Sequence, residues 1–288
     1  MKPLFFGKAN HQLFGAFHPA QIKVGQTRLC SDAILLCYPG VQEYNTNHLA
    51  FRRIASSLAA QGCPVLRFDY FGTGDSMGRL DEASPSIWVD DIRQAAHELS
   101  DMTGSDKLSI IGMRLGASLA YLACKDGLTA RKLILWEPVL RGRNYINQLR
   151  QIDRHKNLVF LHSQPLVAHT ACEHPELFGY RWPSKINAEV EAIDLLNQPV
   201  PAVRAAAVIT SWSHPDLQRL MDRLSGHGID TSIQEVSNAE SASPAIMAMR
   251  ETNVLSNDVL QAITRQLSPQ ADVAIEATKS SRNSRLLC

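Results

Sequence analysis

Two rhythms of hydrophobic positions alternate along this chain. Short runs that are apolar at nearly every residue, such as Ala33 to Tyr38, give way to longer stretches in which apolar residues recur every three or four positions. A continuous apolar run suits a strand covered on both faces of a sheet, and the longer spacing marks one buried face of a helix. The pattern predicts two short edge strands, Leu4 to Phe6 and Leu13 to Phe17. A strand over Ala33 to Tyr38 follows, stopped by Pro39-Gly40, then a helix over Asn47 to Gln61 closed by Gly62. The alternation continues with a strand at Pro64 to Tyr70, a helix at Ser86 to Ser100 and a strand at Leu108 to Ile111. A helix at Ala117 to Lys125 and a strand at Lys132 to Trp136 complete the first half. Strand and helix in strict succession imply right-handed crossovers and a parallel sheet.

The rhythm breaks between about Arg141 and Pro201, where His, Gln and Pro are frequent and no strand pattern is seen. This segment reads as a helical cap inserted over the carboxyl ends of the strands. The sheet resumes at Ala205 to Thr210, followed by a helix at Pro215 to Gly226, a last strand at Thr231 to Val236 and a closing helix at Val254 to Leu267. From residue 268 to 288 the composition turns small and polar, as in a loose tail. The expectation is one α/β domain over residues 1–267: a mostly parallel, eight-stranded sheet with helices on both faces and the cap above it.

Composition narrows the function classes. A formal net charge of +1 offers no basic surface for nucleic acid or an anionic membrane. Six cysteines are scattered without C-x-x-C pairs and several fall in apolar runs, which suits buried free thiols in a reducing cytoplasm. No signal-peptide pattern opens the chain, and no stretch reaches the roughly 18 apolar residues of a membrane span. His162 and His169 have no carboxylate at ligand spacing, so neither a metal nor another cofactor is expected.

The candidate chemistry centres on Gly112-Met113-Arg114-Leu115-Gly116, between a strand and a helix. This is the frame of the G-x-S-x-G nucleophile elbow, with Arg114 where the serine would stand. A guanidinium is permanently charged and offers no lone pair for attack on a carbonyl. The middle residue of such a bend faces the pocket mouth beside the amino end of the next helix. The N–H of Leu115 and that of Val41, after Gly40, would be the two oxyanion donors there, with Met113 and Glu43 beside the ligand. A cation added to such donors makes a receptor for a carboxylate or phosphate. The alternative is an internal bridge from Arg114 to Asp216, Glu43 or Glu137 that plugs the pocket, and both arrangements satisfy the buried charge. In the hydrolases that this elbow frame resembles, a triad acid follows the strand ending near Thr210, and the resemblance implies Asp216 for that station, although Asp216 also suits the first turn of a helix. The same resemblance implies a triad histidine beyond the last strand, and the last of the ten histidines is His227, upstream of it. Cys37, Ser76 and Ser118 read as packing or turn residues.

These residues make the chain resemble the α/β-hydrolase superfamily, in its serine aminopeptidase S33 and lysophospholipase-like branch. The resemblance rests on Tyr38-Pro39-Gly40, the segment Leu66 to Ser76, the elbow frame and Leu135-Trp136-Glu137-Pro138-Val139. It is similar in particular to bacterial hydrolase-like proteins with G-L-R-L-G-A at the elbow, some accompanying exosortase or secondary-metabolite gene clusters. The resemblance implies a protein that acts on or holds a small acyl or acidic ligand without the usual nucleophile, with an acyl-carrier or biosynthetic protein as a partner. A catalyst that uses Arg114 to stabilise developing charge, and a non-catalytic interaction scaffold, are the alternatives.

Overall fold

A computed structural model describes residues 1–21, 29, 31–161, 176–236 and 255–268. Ten strands occur in it: β1 (Lys2–Lys8), β2 (His11–His18), β3 (Ala33–Cys37), β4 (Val65–Phe68), β5 (Leu108–Met113), β6 (Ala130–Trp136), β7 (Glu176–Leu177), β8 (Tyr180–Arg181), β9 (Val203–Thr210) and β10 (Asp230–Glu235). The helices are α1 (Val41–Ala60), α2 (Pro85–Thr103), α3 (Leu115–Lys125), α4 (Gly142–Leu161), α5 (Ser184–Glu191), α6 (Pro215–Gly226) and α7 (Asn257–Leu267).

Eight strands form one sheet in the order β1-β2-β4-β3-β5-β6-β9-β10, parallel except for the β1–β2 and β2–β4 pairs. β3 is buried at all five positions, which accounts for its uninterrupted apolar run. From β3 the chain steps to β4 on one side and then to β5 on the other, so the direction of winding reverses at β3. Right-handed crossovers then put α1 on one face and α2, α3 and α6 on the opposite face. α7 joins α1, because Arg53 on α1 donates to the Leu255 carbonyl at 3.1 Å and to Asn257 Oδ1 at 2.7 Å. In an open parallel sheet the crevice at such a reversal, outside the carboxyl ends of the strands, is where ligands bind.

Local chemistry explains the helix boundaries. Ser84 accepts from the Ile87 N–H, Pro85 opens α2 and Gly104 (φ 63°) closes it. α1 begins at Val41, a turn and a half before the periodicity suggests. Among its described side chains, the buried positions of its first turns are Glu43 and Asn47, polar residues that an apolar pattern cannot reveal. Among the described residues, the segment between β6 and β9 is chiefly α4 and α5. It also holds the two-residue strands β7 and β8, which correct the expectation of no strand there and are too short for any periodicity to show. Its ends lie side by side: Gly142 N–H donates to the Ile193 carbonyl at 2.8 Å and Leu195 N–H to the Leu140 carbonyl at 2.8 Å. Residues 162–175, the loop after β10 and the tail from residue 269 fall outside the described residues, and with them His162, His169 and the loop expected to carry a triad histidine.

The elbow helix packs closely on β3. A methyl group at Gly116 would lie 1.9 Å from the Tyr38 carbonyl oxygen, whereas one at Gly226 on α6 would meet nothing within 4 Å. Gly116→Ala is therefore expected to destabilise the protein by at least about 2 kcal/mol in a denaturant titration, with Gly226→Ala neutral or slightly stabilising. Equal midpoints for the two variants would contradict this packing.

Candidate functional site

β5 ends at Met113 and α3 begins at Leu115, leaving Arg114 as the bend, with φ 53° and ψ −122°. Its N–H donates to the Trp136 carbonyl at 2.9 Å, and its carbonyl accepts from the Ala117 N–H at 3.1 Å. The bend thus belongs to both the sheet and the helix. Arg114, Glu137 and Phe178 are the non-glycine residues with positive φ among those described. Such a backbone costs on the order of 1–3 kcal/mol and tends to persist at functional sites. Arg114 and Glu137 border the same cleft.

The guanidinium is almost fully buried and engaged from three directions. Its Nε donates to Glu43 Oε1 at 3.0 Å and its Nη2 to Gln148 Oε1 at 3.3 Å, and its central carbon sits 5.2 Å from the centre of the Tyr145 ring. The Tyr145 hydroxyl donates to the other Glu43 oxygen at 2.8 Å. Burial alone would lower the pKa of Arg114. The charge of Glu43, together with Tyr145 and Glu137, outweighs it and holds the group protonated above its ordinary value. Glu43 lies in the first turn of α1, where the helix dipole favours a carboxylate. That turn is anchored in its own right, because the Tyr44 hydroxyl donates to Asp69 Oδ1 at 2.7 Å and Asp69 Oδ2 accepts from the Asp75 N–H at 3.0 Å.

Outside this cluster opens a cleft of about 520 Å³ between α4, the β6 end, the β9–α6 loop and the start of α6. Glu137 forms part of its floor and accepts from the Thr210 hydroxyl at 3.1 Å and from the Ser211 N–H. Asp216 forms part of its rim, paired with Arg141 at 3.2 Å and Arg219 at 3.4 Å. His214 also borders the cleft, and Trp212 stands there 68% exposed.

The residues singled out from the sequence separate here. Arg114 and Asp216 border the cleft but pair with different partners, Glu43 and Arg141. Of the three carboxylates considered for Arg114, Glu43 is the one that bonds it. Met113 and Leu115 are buried in the core rather than on the cleft wall, and Glu43 is sealed beneath Tyr145. Val41 opens α1, and Gly40 before it lies against Leu115 and the Tyr145 hydroxyl. Ser118 donates to the Val139 carbonyl at 2.6 Å, Ser76 to the Asp69 carbonyl at 2.6 Å, and burial pushes the Cys37 thiol far above its usual range. Among the described histidines, His11 bonds Asp91, His18 accepts from Arg67, His48 stacks on Tyr38, His97 pairs with Asp101 and His227 bonds the Arg223 carbonyl. Tyr145, Gln148 and Trp212 escaped the sequence reading. The first two lie in the segment without a clear pattern, and nothing in a sequence marks an indole as solvent-facing.

The winding reversal, the elbow between β5 and α3, and the cleft beneath an inserted helical segment define an α/β hydrolase. Est1E from Butyrivibrio proteoclasticus, solved with ferulic acid bound, shares the fold at TM-score 0.59 and 12% identity over 95% of this chain and 99% of its own. Mouse alpha/beta hydrolase domain-containing protein 10 does so at TM-score 0.56 and 16% identity, over 93% and 98%. Proline iminopeptidase of Mycobacterium smegmatis gives 0.55 and 12%, over 95% and 100%. The family model for serine aminopeptidase, S33, matches residues 30–194, and the chain belongs to that family. No curated protein matches the sequence.

The buried pair carries a direct test. Glu43→Ala leaves the Arg114 cation without its counter-charge and is expected to cost roughly 3–5 kcal/mol of stability. Pairing Glu43→Leu with Arg114→Met removes both charges together and is expected to cost clearly less in the same denaturation experiment. A double variant as damaged as Glu43→Ala would show that charge is not what binds these residues together.

Proposed function

We propose that this protein holds a small acyl compound in the elbow cleft and does not hydrolyse it by serine–histidine chemistry. Arg114 donates to the carbonyl or carboxylate oxygen of the ligand. The observation that carries this reading is a protonated guanidinium on the bend that keeps donors to spare. Glu43 and Gln148 take two of its five N–H groups, and no other described residue bonds it, while the side chain borders the cleft. A guanidinium cannot act as the nucleophile, and the sequence has no histidine after His227. Without both members a triad loses several orders of magnitude in rate.

In this reading Glu43 and Tyr145 orient Arg114, and Asp216 orients Arg141 at the rim. Val41 and Leu115 contribute the positive amino ends of α1 and α3, with Met113 packed behind them. Charge is balanced before any ligand arrives, so recognition rests on hydrogen bonds to an acyl oxygen more than on net attraction.

Nitrophenyl esters and acyl thioesters are expected to turn over at the uncatalysed rate with wild-type protein. Short-chain carboxylates are expected to bind at least roughly tenfold more weakly to Arg114→Ala in calorimetry. Equal binding by both proteins would refute the role of Arg114. Wild-type turnover abolished in Arg114→Ala would instead make the protein an enzyme that stabilises developing charge with this cation.

A further inference from the structure

The outer half of the cleft has a chemistry that the acyl site does not use. α4 turns Tyr145, Leu149 and Ile152 into the protein, and the face carrying Asn144, Asn147, Gln148 and Gln151 lines the cleft. Spacings of three and four residues put the carboxamides of Asn144, Asn147 and Gln151 in one row along the helix, with Gln148 beside it. Gln148 is engaged with Arg114, whereas the side-chain amides of Asn144, Asn147 and Gln151 make no hydrogen bond to a described residue. Each carboxamide offers two donors and an acceptor.

Trp212 stands on the same cleft. The residue is 68% exposed, yet its backbone is tied down: its N–H donates to the Thr210 hydroxyl at 3.2 Å. The same hydroxyl also reaches Glu137. The backbone of Trp212 is therefore set at the cleft before any ligand binds, which lowers the entropy cost of presenting the indole there.

Charges at this end are matched within the protein. Arg141 is paired with Asp216, and Glu137 is satisfied by Thr210 and Ser211. A phosphate or a strongly charged group would find no unpaired cation here. A flat apolar surface combined with neutral amides of mixed donor and acceptor character suits a ring whose faces are C–H and whose rim is hydroxyl.

We propose that the outer cleft takes a neutral polyhydroxylated ring, such as a pyranose, stacked on Trp212 and hydrogen-bonded by Asn144, Asn147 and Gln151, so that the ligand is an acylated sugar. The inference deepens the preceding reading and rests on it only for the acyl end.

The test uses the full chain with methyl 6-O-acetyl-β-glucopyranoside, methyl β-glucopyranoside and ethyl acetate as probes. Trp88, Trp136 and Trp182 are at most 4% exposed, so iodide quenching of tryptophan emission reports on Trp212. Both glucosides are expected to protect Trp212 from iodide and shift emission to the blue, and ethyl acetate to do neither. In calorimetry, Trp212→Ala and Asn147→Leu are each expected to weaken glucoside binding at least roughly tenfold, with Trp212→Phe retaining most of it. Trp212 is a surface residue, so its loss leaves folding intact, and Asn147→Leu checks the amide row independently. Glucosides that bind no better than ethyl acetate, or equally to wild type and Trp212→Ala, would overturn the inference. Glucoside binding that depends on Trp212, with no gain from the acetyl group and no effect of Arg114→Ala, would uphold the sugar-ring site but sink the acyl reading, and with it the acylated sugar as the ligand.

Discussion

Where the amino ends of α1 and α3 meet, a guanidinium and a carboxylate face each other 3.0 Å apart with almost no access to water. Neither charge would be stable there alone. A cation at a helix amino end opposes the dipole, and an isolated buried ion of either sign carries a desolvation cost of several kcal/mol. Together they are tolerable, and the rest of the site is arranged to keep them so. Tyr145 covers the pair and bonds Glu43, Gln148 takes a second guanidinium donor, and Asn47 donates to the Glu43 carbonyl at 2.7 Å. The pair also ties together the two sides of the winding reversal, since α1 follows β3 and α3 follows β5.

The strained bend survives for a related reason. Positive φ at a residue with a long side chain is unfavourable, yet here its N–H, its carbonyl and its guanidinium are each fixed by a different element: β6, α3 and α1. Glu137 shows the same principle, its backbone at φ 47° and its carboxylate held by Thr210 and Ser211 at the end of β9. Many contacts over-determine a costly conformation, which is how strain is usually retained in a folded chain.

The sheet was legible because its physics is local. An apolar run with a Pro-Gly stop identifies β3 from a few residues, and α6 appeared with the bounds the pattern gave it. Arg114 was legible for the same reason, since the glycines on either side define the bend. What the sequence concealed was long-range. Glu43 was one carboxylate among three, and only tertiary packing brings it to Arg114 across 71 positions of sequence. Tyr145 and Gln148 lie in a segment whose wall function requires polar residues, so the apolar rhythm that reveals other helices is muted there.

The inserted segment leaves and rejoins the sheet at adjacent points, with residues 140–142 hydrogen-bonded to residues 193–195. Joining such neighbours directly would close only a short loop, at small entropic cost. The excursion is therefore attached in the manner of a cassette: its content can diverge, or be exchanged between relatives, without disturbing the strand order beneath. Excising it would also strip Tyr145 and Gln148 from the guanidinium, so each new cassette would have to bring its own means of sheltering that charge.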